Sequence, residues 1–153
     1  YITNSISKVK RYYIYNVINQ TLISATDKIT SPVSDSMNTF MLYSPKGKFN
    51  DFVLNIINYS LKKKGSEVIF LGSNVKTSET LDIFNTKQFN NIVTIAYSSK
   101  EKNNELIEVI HKLYTNKNIF LFDPLKTVNT ELTDKIKIST DLTEFAEMVT
   151  NKV

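Results

Sequence analysis

The chain has 153 residues, 41% of them hydrophobic and 22% charged, which is enough for one well-buried core. It has no cysteine and no tryptophan, which excludes disulfides and thiolate metal sites and fits a reducing, cytoplasmic setting. The net charge of +4 is spread thinly, with one run at Lys62-Lys63-Lys64, and reads as a solvated surface more than a nucleic-acid patch.

Tyr1 opens the chain with neither Met nor a basic-then-apolar leader, as expected of an internal piece of a longer protein. No apolar run approaches the roughly 18 residues of a membrane span. Ile2, Ile6, Val9, Tyr13 and Val17 recur at three- and four-residue spacing, joined by Ile14, Ile18 and Leu22, and predict a helix running to about Ile29. It should stop before Thr30-Ser31-Pro32, since proline biases its predecessor away from helix, and Asp35-Ser36 then leads into a new pattern.

From residue 37 short apolar runs alternate with helical periods. Strands are predicted over Thr39–Tyr43, Glu67–Leu71, Ile92–Tyr97, Ile119–Phe122 and Lys135–Ile138. Helices are predicted over Asn50–Lys64, Ser78–Phe84, Glu101–Tyr114 and Leu142–Asn151. Phe52, Val53, Ile56, Ile57 and Leu61 share one face of the first of these, and Lys64-Gly65 ends it. Ser98-Lys100-Glu101 and Asp141…Glu144 carry capping-box spacing. Strands apolar almost throughout, each followed by a helix, imply a parallel sheet covered on both faces. The expected architecture is a flavodoxin-like, five-stranded doubly wound domain over 37–153, preceded by a helical segment and linker over 1–36.

Ligand chemistry in such a fold belongs to the loops at the C-terminal ends of the strands. The loop Tyr43-Ser44-Pro45-Lys46-Gly47-Lys48-Phe49-Asn50 leaves the first strand and enters a helix, where amides and the dipole favour an anion. Lys46, Gly47 and Lys48 suit a phosphate, and a solvated basic loop is the competing reading. A phosphoacceptor receiver is excluded, because the carboxylates that would hold its divalent cation are replaced by Tyr43-Ser44-Pro45 and Ala96-Tyr97-Ser98. The single histidine, His111, falls off the Leu106, Val109, Ile110, Leu113 stripe and reads as a surface residue. No His/carboxylate cluster has metal-ligand spacing. Asp123 ends the fourth strand, and Pro124 behind it favours a turn role. These residues give no catalytic set, and no enzyme is expected.

Two segments resemble the cobalamin-binding sensor domains of MerR-type transcriptional regulators, relatives of the corrinoid modules of methyltransferases and mutases. Residues Tyr15 to Ile29 resemble the last helix of that family's bundle. Leu42 to Gly72 resembles its Rossmann-like part, with a Pro-x-Gly loop at Pro45 and Gly47, a helix ending Lys63-Lys64-Gly65, and Leu71-Gly72-Ser73-Asn74 after the second strand. The family's acid-x-His-x-x-Gly motif, whose histidine ligates cobalt from below, aligns with Lys48 to Val53 and puts Asn50 in the histidine's place. An amide is a poor cobalt ligand beside imidazole. Val53 stands for a glycine, Ala96 for a serine, Phe122-Asp123 for paired glycines, and Arg11-Tyr12 for the Glu-His pair over the upper face.

The resemblance implies a regulatory domain in which cobalamin has been lost, with no metal. The family-equivalent cofactor positions are Ser44, Gly47, Asn50, Gly72 and Ser98. DNA would be bound only by a domain outside this chain, and control would come from homo-oligomerisation. Apolar residues among Tyr12, Tyr13, Ile14 and Tyr15 cannot all reach one sheet face and are expected to meet further bundle helices or a partner chain. The alternatives are a cobalamin module or corrinoid carrier with a non-standard site, or a small anionic or planar ligand held by Ser44, Lys46 and Ser98.

Overall fold

The strands are apolar nearly end to end because both faces of the sheet are covered. The computed structural model describes residues 7–30, 39–45, 47, 50–128 and 136–151. Helix α1 (Lys8–Asp27) comes first, followed by β1 (Thr39–Ser44), α2 (Asn50–Lys63) and β2 (Glu67–Ser73). A 3-10 turn (Thr77–Glu79) leads into α3 (Thr80–Thr86), β3 (Asn91–Ile95), α4 (Lys100–Leu113), β4 (Asn118–Phe122), β5 (Ile136–Ser139) and α5 (Leu142–Thr150). All five strands are parallel in the order β2-β1-β3-β4-β5, the flavodoxin-like arrangement expected from the sequence.

Alternate strand residues divide into two cores. Phe40, Leu42, Val93, Ile95, Phe120 and Phe122 face α2 and α5, meeting Leu54, Ile57, Leu61, Phe145 and Val149. Met41, Tyr43, Ile92, Ile119 and Leu121 face the other way, onto Leu106, Ile107, Ile110 and Tyr114. Each fully buried aliphatic or aromatic side chain contributes about 1.5–3 kcal/mol relative to exposure, so these two layers dominate stability. A hydroxyl network crosses the second layer. The Tyr43 hydroxyl donates to Thr77 Oγ1 at 3.1 Å, Thr80 Oγ1 donates to the Thr77 carbonyl, and Thr80 also bonds the Tyr114 hydroxyl.

Several boundaries differ from expectation for local reasons. Strand β3 stops at Ile95 rather than Tyr97, because the Asn103 side chain takes both backbone groups of Tyr97. Strand β2 runs on to Ser73 because its register slips against β1, with Leu42 opposite Phe70 and Tyr43 opposite Gly72. Leu71 is the extra residue of that bulge. Helix α2 ends as anticipated at Gly65, where Ser66 N–H bonds the Leu61 carbonyl and Gly65 N–H that of Lys62.

The capping expectations divide. Asp141 caps α5 by accepting from Glu144 N–H at 2.9 Å. The α4 cap is Ser99, not Ser98, and its hydroxyl is turned to Glu101 with no side-chain cap on the helix amides. The proposed linker elements Ser31-Pro32 and Asp35-Ser36, with Ile2, Ile6, Lys46, Lys48, Phe49 and Lys135, lie outside the described residues.

Helix α1 departs most from its periodicity. Its predicted stripe is exposed, with Val9 at 77%, Tyr13 at 69% and Val17 at 44%, and Thr26 is its one buried residue. Contact comes instead through Tyr15 and Asn19, while the Thr26 hydroxyl turns back to the Leu22 carbonyl. The Tyr15 ring packs at a tilt on Phe52 with centroids 5.3 Å apart, its hydroxyl accepts from Phe52 N–H, and Asn19 Oδ1 accepts from Asn55 Nδ2 at 2.8 Å. The helix is a ridge laid along α2. Among the described residues, no helix is long and apolar enough to cross a membrane.

Candidate functional site

The parallel order brings the C-terminal ends of all five strands to one edge, and each loop there is built around one polar side chain. After β1, Asn50 begins α2 and its amide donates back to Ser44 Oγ at 2.7 Å. Ser44 is fully buried, and its carbonyl accepts from Val75 N–H at 3.2 Å. Gly47 lies beneath the Asn50 amide with φ of 114°, and a Cβ there would come within 3.3 Å of that amide. Backbone conformation and space both demand glycine at this position.

After β2, Gly72 turns at φ 78° just beyond the bulge, and Ser73 N–H donates to Asp51 Oδ1 at 2.9 Å. An acid in the first turn of α2 thus pins the neighbouring loop. After β3, the fully buried Asn103 accepts from Tyr97 N–H at 2.7 Å and donates to the Tyr97 carbonyl at 3.0 Å and to Thr127 Oγ1 at 2.7 Å. After β4, the buried Asp123 carboxylate accepts from Thr127 Oγ1 and from Val128 N–H, closing the turn over Pro124-Leu125-Lys126. After β5, Ser139 Oγ donates to Glu144 Oε2 at 2.7 Å and accepts from Asp141 N–H.

The anticipated positions therefore fall into groups. Ser44, Gly47 and Asn50 meet in one loop, and Gly72 is tied to it through Asp51. Ser98 is exposed and makes no hydrogen bond among the described residues. Asp123 takes the turn role its sequence setting favours. Phe122, at the paired-glycine position, packs its ring on Phe145 with centroids 5.2 Å apart. Val53 and Leu142 pack against the same cluster. Arg11 and Tyr12 are exposed on α1, one turn before the Tyr15 contact.

Beside the β3 end, Lys76, Ser78, Tyr97, Lys102 and Glu105 line a cavity of about 270 Å³. Desolvation, and secondarily the Glu105 charge, raise the Tyr97 pKa above the ordinary tyrosine value. His111 is half-buried near the C-terminal end of α4, which returns to the opposite side of the sheet from the ligand loops. No group of three or more His, Cys, Asp or Glu among the described residues is arranged to hold a metal. Among the described residues the edge holds hydrogen-bonding groups, with no base paired with a nucleophile.

Sequence reasoning missed Asn103 as the organiser of this edge. Its signal is an asparagine at the head of the Leu106, Ile107, Ile110 stripe, one turn into a helix and on its buried face.

No protein-family model matches the sequence, and no curated protein matches it either. Solved structures do. A cobalamin-binding protein from Desulfitobacterium hafniense DCB-2 superposes with a TM-score of 0.58 at 17% identity, over 88% of this chain and 68% of that one. The monomethylamine corrinoid protein of Methanosarcina barkeri superposes with a TM-score of 0.59 at 12% identity, over 90% of this chain and 65% of that one. The chain thus spans about two thirds of the length of either. At such identities the likeness is one of fold: this is the α/β fold of cobalamin-binding domains.

Proposed function

We propose that the chain is the regulatory domain of a MerR-like transcriptional regulator in which protein contacts have replaced the cobalamin site. It works without catalysis, by self-association that controls DNA binding carried elsewhere in a longer protein. The observation that carries this reading is the Asn50 amide bonded to Ser44 where the resembling family places its cobalt-ligating histidine. An amide already donating at 2.7 Å, on a carbon frame too short to replace imidazole, is a poor axial ligand. Supporting it, Phe122 and Phe145 fill the space behind the β4 end with rings packed at a tilt, where paired glycines would leave a cofactor tail room.

Self-association is supported by the exposed stripe of α1. Tyr13, Ile14, Val17 and Ile18 are each between 44% and 69% exposed on a helix with a single buried residue. Apolar side chains in such a row commonly mark an interface. Sedimentation velocity over a hundredfold concentration range should show a reversible rise in mass. The double variant Ile14→Glu, Val17→Glu should remain monomeric with its melting temperature nearly unchanged. Monomeric behaviour of the unaltered chain at every concentration would defeat the association reading.

A second reading, a corrinoid carrier or sensor with a non-standard site, is favoured by the fold likeness and by Gly47, whose φ of 114° keeps the Pro-x-Gly frame of a cobalamin loop. Calorimetric titration with hydroxocobalamin separates the two. The first expects no saturable heat, and the second expects one equivalent bound.

A further inference from the structure

Away from the strand ends, α1 and α2 run side by side over the free β2 edge of the sheet and enclose a groove of about 470 Å³. The two helices are parallel. Tyr15 contacts Phe52, Asn19 bonds Asn55, and further along Ile23 and Asp27 face the groove with Asn58 and Lys62. On α2 the lining is a polar stripe, Asp51, Asn55, Asn58 and Lys62, at the spacing that repeats on one helix face. Phe70, 37% exposed on the edge strand, forms an apolar wall with Ile23.

Asn55 is partnered by Asn19, but Asn58 is not. Its side chain is only 8% exposed and makes no hydrogen bond, and its Oδ1 is sealed from solvent without a partner. The amide's NH2 end is left to face the cavity it lines. Of the two ends of this amide, only the NH2 donor is within reach of a ligand in the cavity. Lys62, one turn further along the same face, adds a cationic donor next to it, so the two form a clamp for a carboxylate.

Across the groove, Asp27 provides a carboxylate at the Lys62 end. At the other end stands Asp51, seven residues before Asn58 and so roughly 10 Å along the helix. One oxygen of Asp51 accepts from Ser73 N–H, and the carboxylate still lines the groove. An anion alone would meet two aspartates, and a simple cation would meet Lys62. A zwitterion satisfies both signs.

We propose that this groove binds a free basic α-amino acid, beside the strand-end loops, which it meets at Asp51, and independent of any cobalamin. The α-carboxylate lies on Asn58 and Lys62, and the α-ammonium on Asp27. The aliphatic stem runs along Ile23 and Phe70, and the terminal cation reaches Asp51. The volume lies within the range of small-molecule pockets.

Isothermal titration calorimetry of the whole chain at low ionic strength tests this with L-lysine, L-norleucine and L-glutamate as probes. Lysine should bind saturably with one site. Norleucine, which keeps the stem and loses the terminal charge, should bind about tenfold more weakly, the loss expected for one charge-assisted contact. Glutamate should give no saturable heat. Asp51→Asn keeps the oxygen that receives Ser73 N–H, so it should retain the fold while abolishing the preference for lysine over norleucine. Lys62→Met should weaken both ligands. Absence of saturable lysine binding, or equal affinity of the unaltered protein and both variants, would overturn the assignment.

Discussion

The C-terminal edge of the sheet and the groove between α1 and α2 are both lined by polar side chains, and two of their asparagines, Asn103 and Asn58, are placed in opposite situations. At the edge, Asn50, Asp51, Asn103, Asp123 and Ser139 are each engaged by a neighbouring side chain or backbone group. In the groove, Asn58 is nearly as deeply buried and has no partner. A buried amide with satisfied bonds organises the protein around itself, whereas one without them costs stability. The difference separates an asparagine committed to the fold from one whose NH2 end stays open to the groove. On the proposed assignment, binding lies away from the strand-end loops where this fold ordinarily places it.

The largest effect should come from the rings closing the edge. Phe145→Ala removes a fully buried ring packed on Phe122, and should destabilise by about 3–5 kcal/mol in urea unfolding. A loss below about 1 kcal/mol would mean a slack, refillable space and would break the comparison.

Next come the two asparagines, under the same substitution. Asn103→Leu strands the Tyr97 N–H and removes one of the two donors to its carbonyl, and should cost about 1–3 kcal/mol. Asn58→Leu removes an orphaned amide at similar volume, and should be neutral or stabilising by up to about 1 kcal/mol. Equal costs for the two would erase the distinction between the regions.

Smaller still is a pH effect within the core. Burial raises the pKa of the Tyr43 hydroxyl, with the hydrogen bond to Thr77 opposing that rise, and desolvation acts likewise on Tyr114. A tyrosine whose folded pKa lies above its unfolded value contributes fully below about pH 10. That contribution fades as pH rises, because the unfolded chain gives up its proton first. Stability should therefore fall above about pH 10, and Tyr43→Phe should flatten part of the slope. An unchanged slope in chemical unfolding at pH 9, 10 and 11 would count against a buried, protonated Tyr43.

Much of the fold was legible because its signals are periodic. The strands Phe40–Tyr43 and Ile119–Phe122 are apolar on both faces, which only a covered parallel sheet explains, and Gly65 and Asp141 mark helix ends by chemistry that acts within a few residues. The errors arose where tertiary contacts override local pattern. The α1 periodicity pointed at Val9, Tyr13 and Val17, yet docking on α2 uses Tyr15 and Asn19, whose partners lie more than thirty residues away. Asn103 ended β3 early through hydrogen bonds no strand propensity encodes. At the edge, the loop positions could be placed in sequence, but the Ser44–Asn50 bond depends on side-chain geometry. The Asp51, Asn55, Asn58, Lys62 stripe was visible as helical spacing, but was obscured by the stronger apolar face of Leu54, Ile57 and Leu61.

The most direct test is to incubate the purified chain with excess hydroxocobalamin, desalt it and record the visible spectrum. An edge closed by its own side chains predicts a colourless protein, with no cobalamin retained even after prolonged incubation. Stoichiometric corrinoid absorbance co-eluting with the chain would contradict it, and would make this a working cobalamin domain with Asn50 in an unanticipated role.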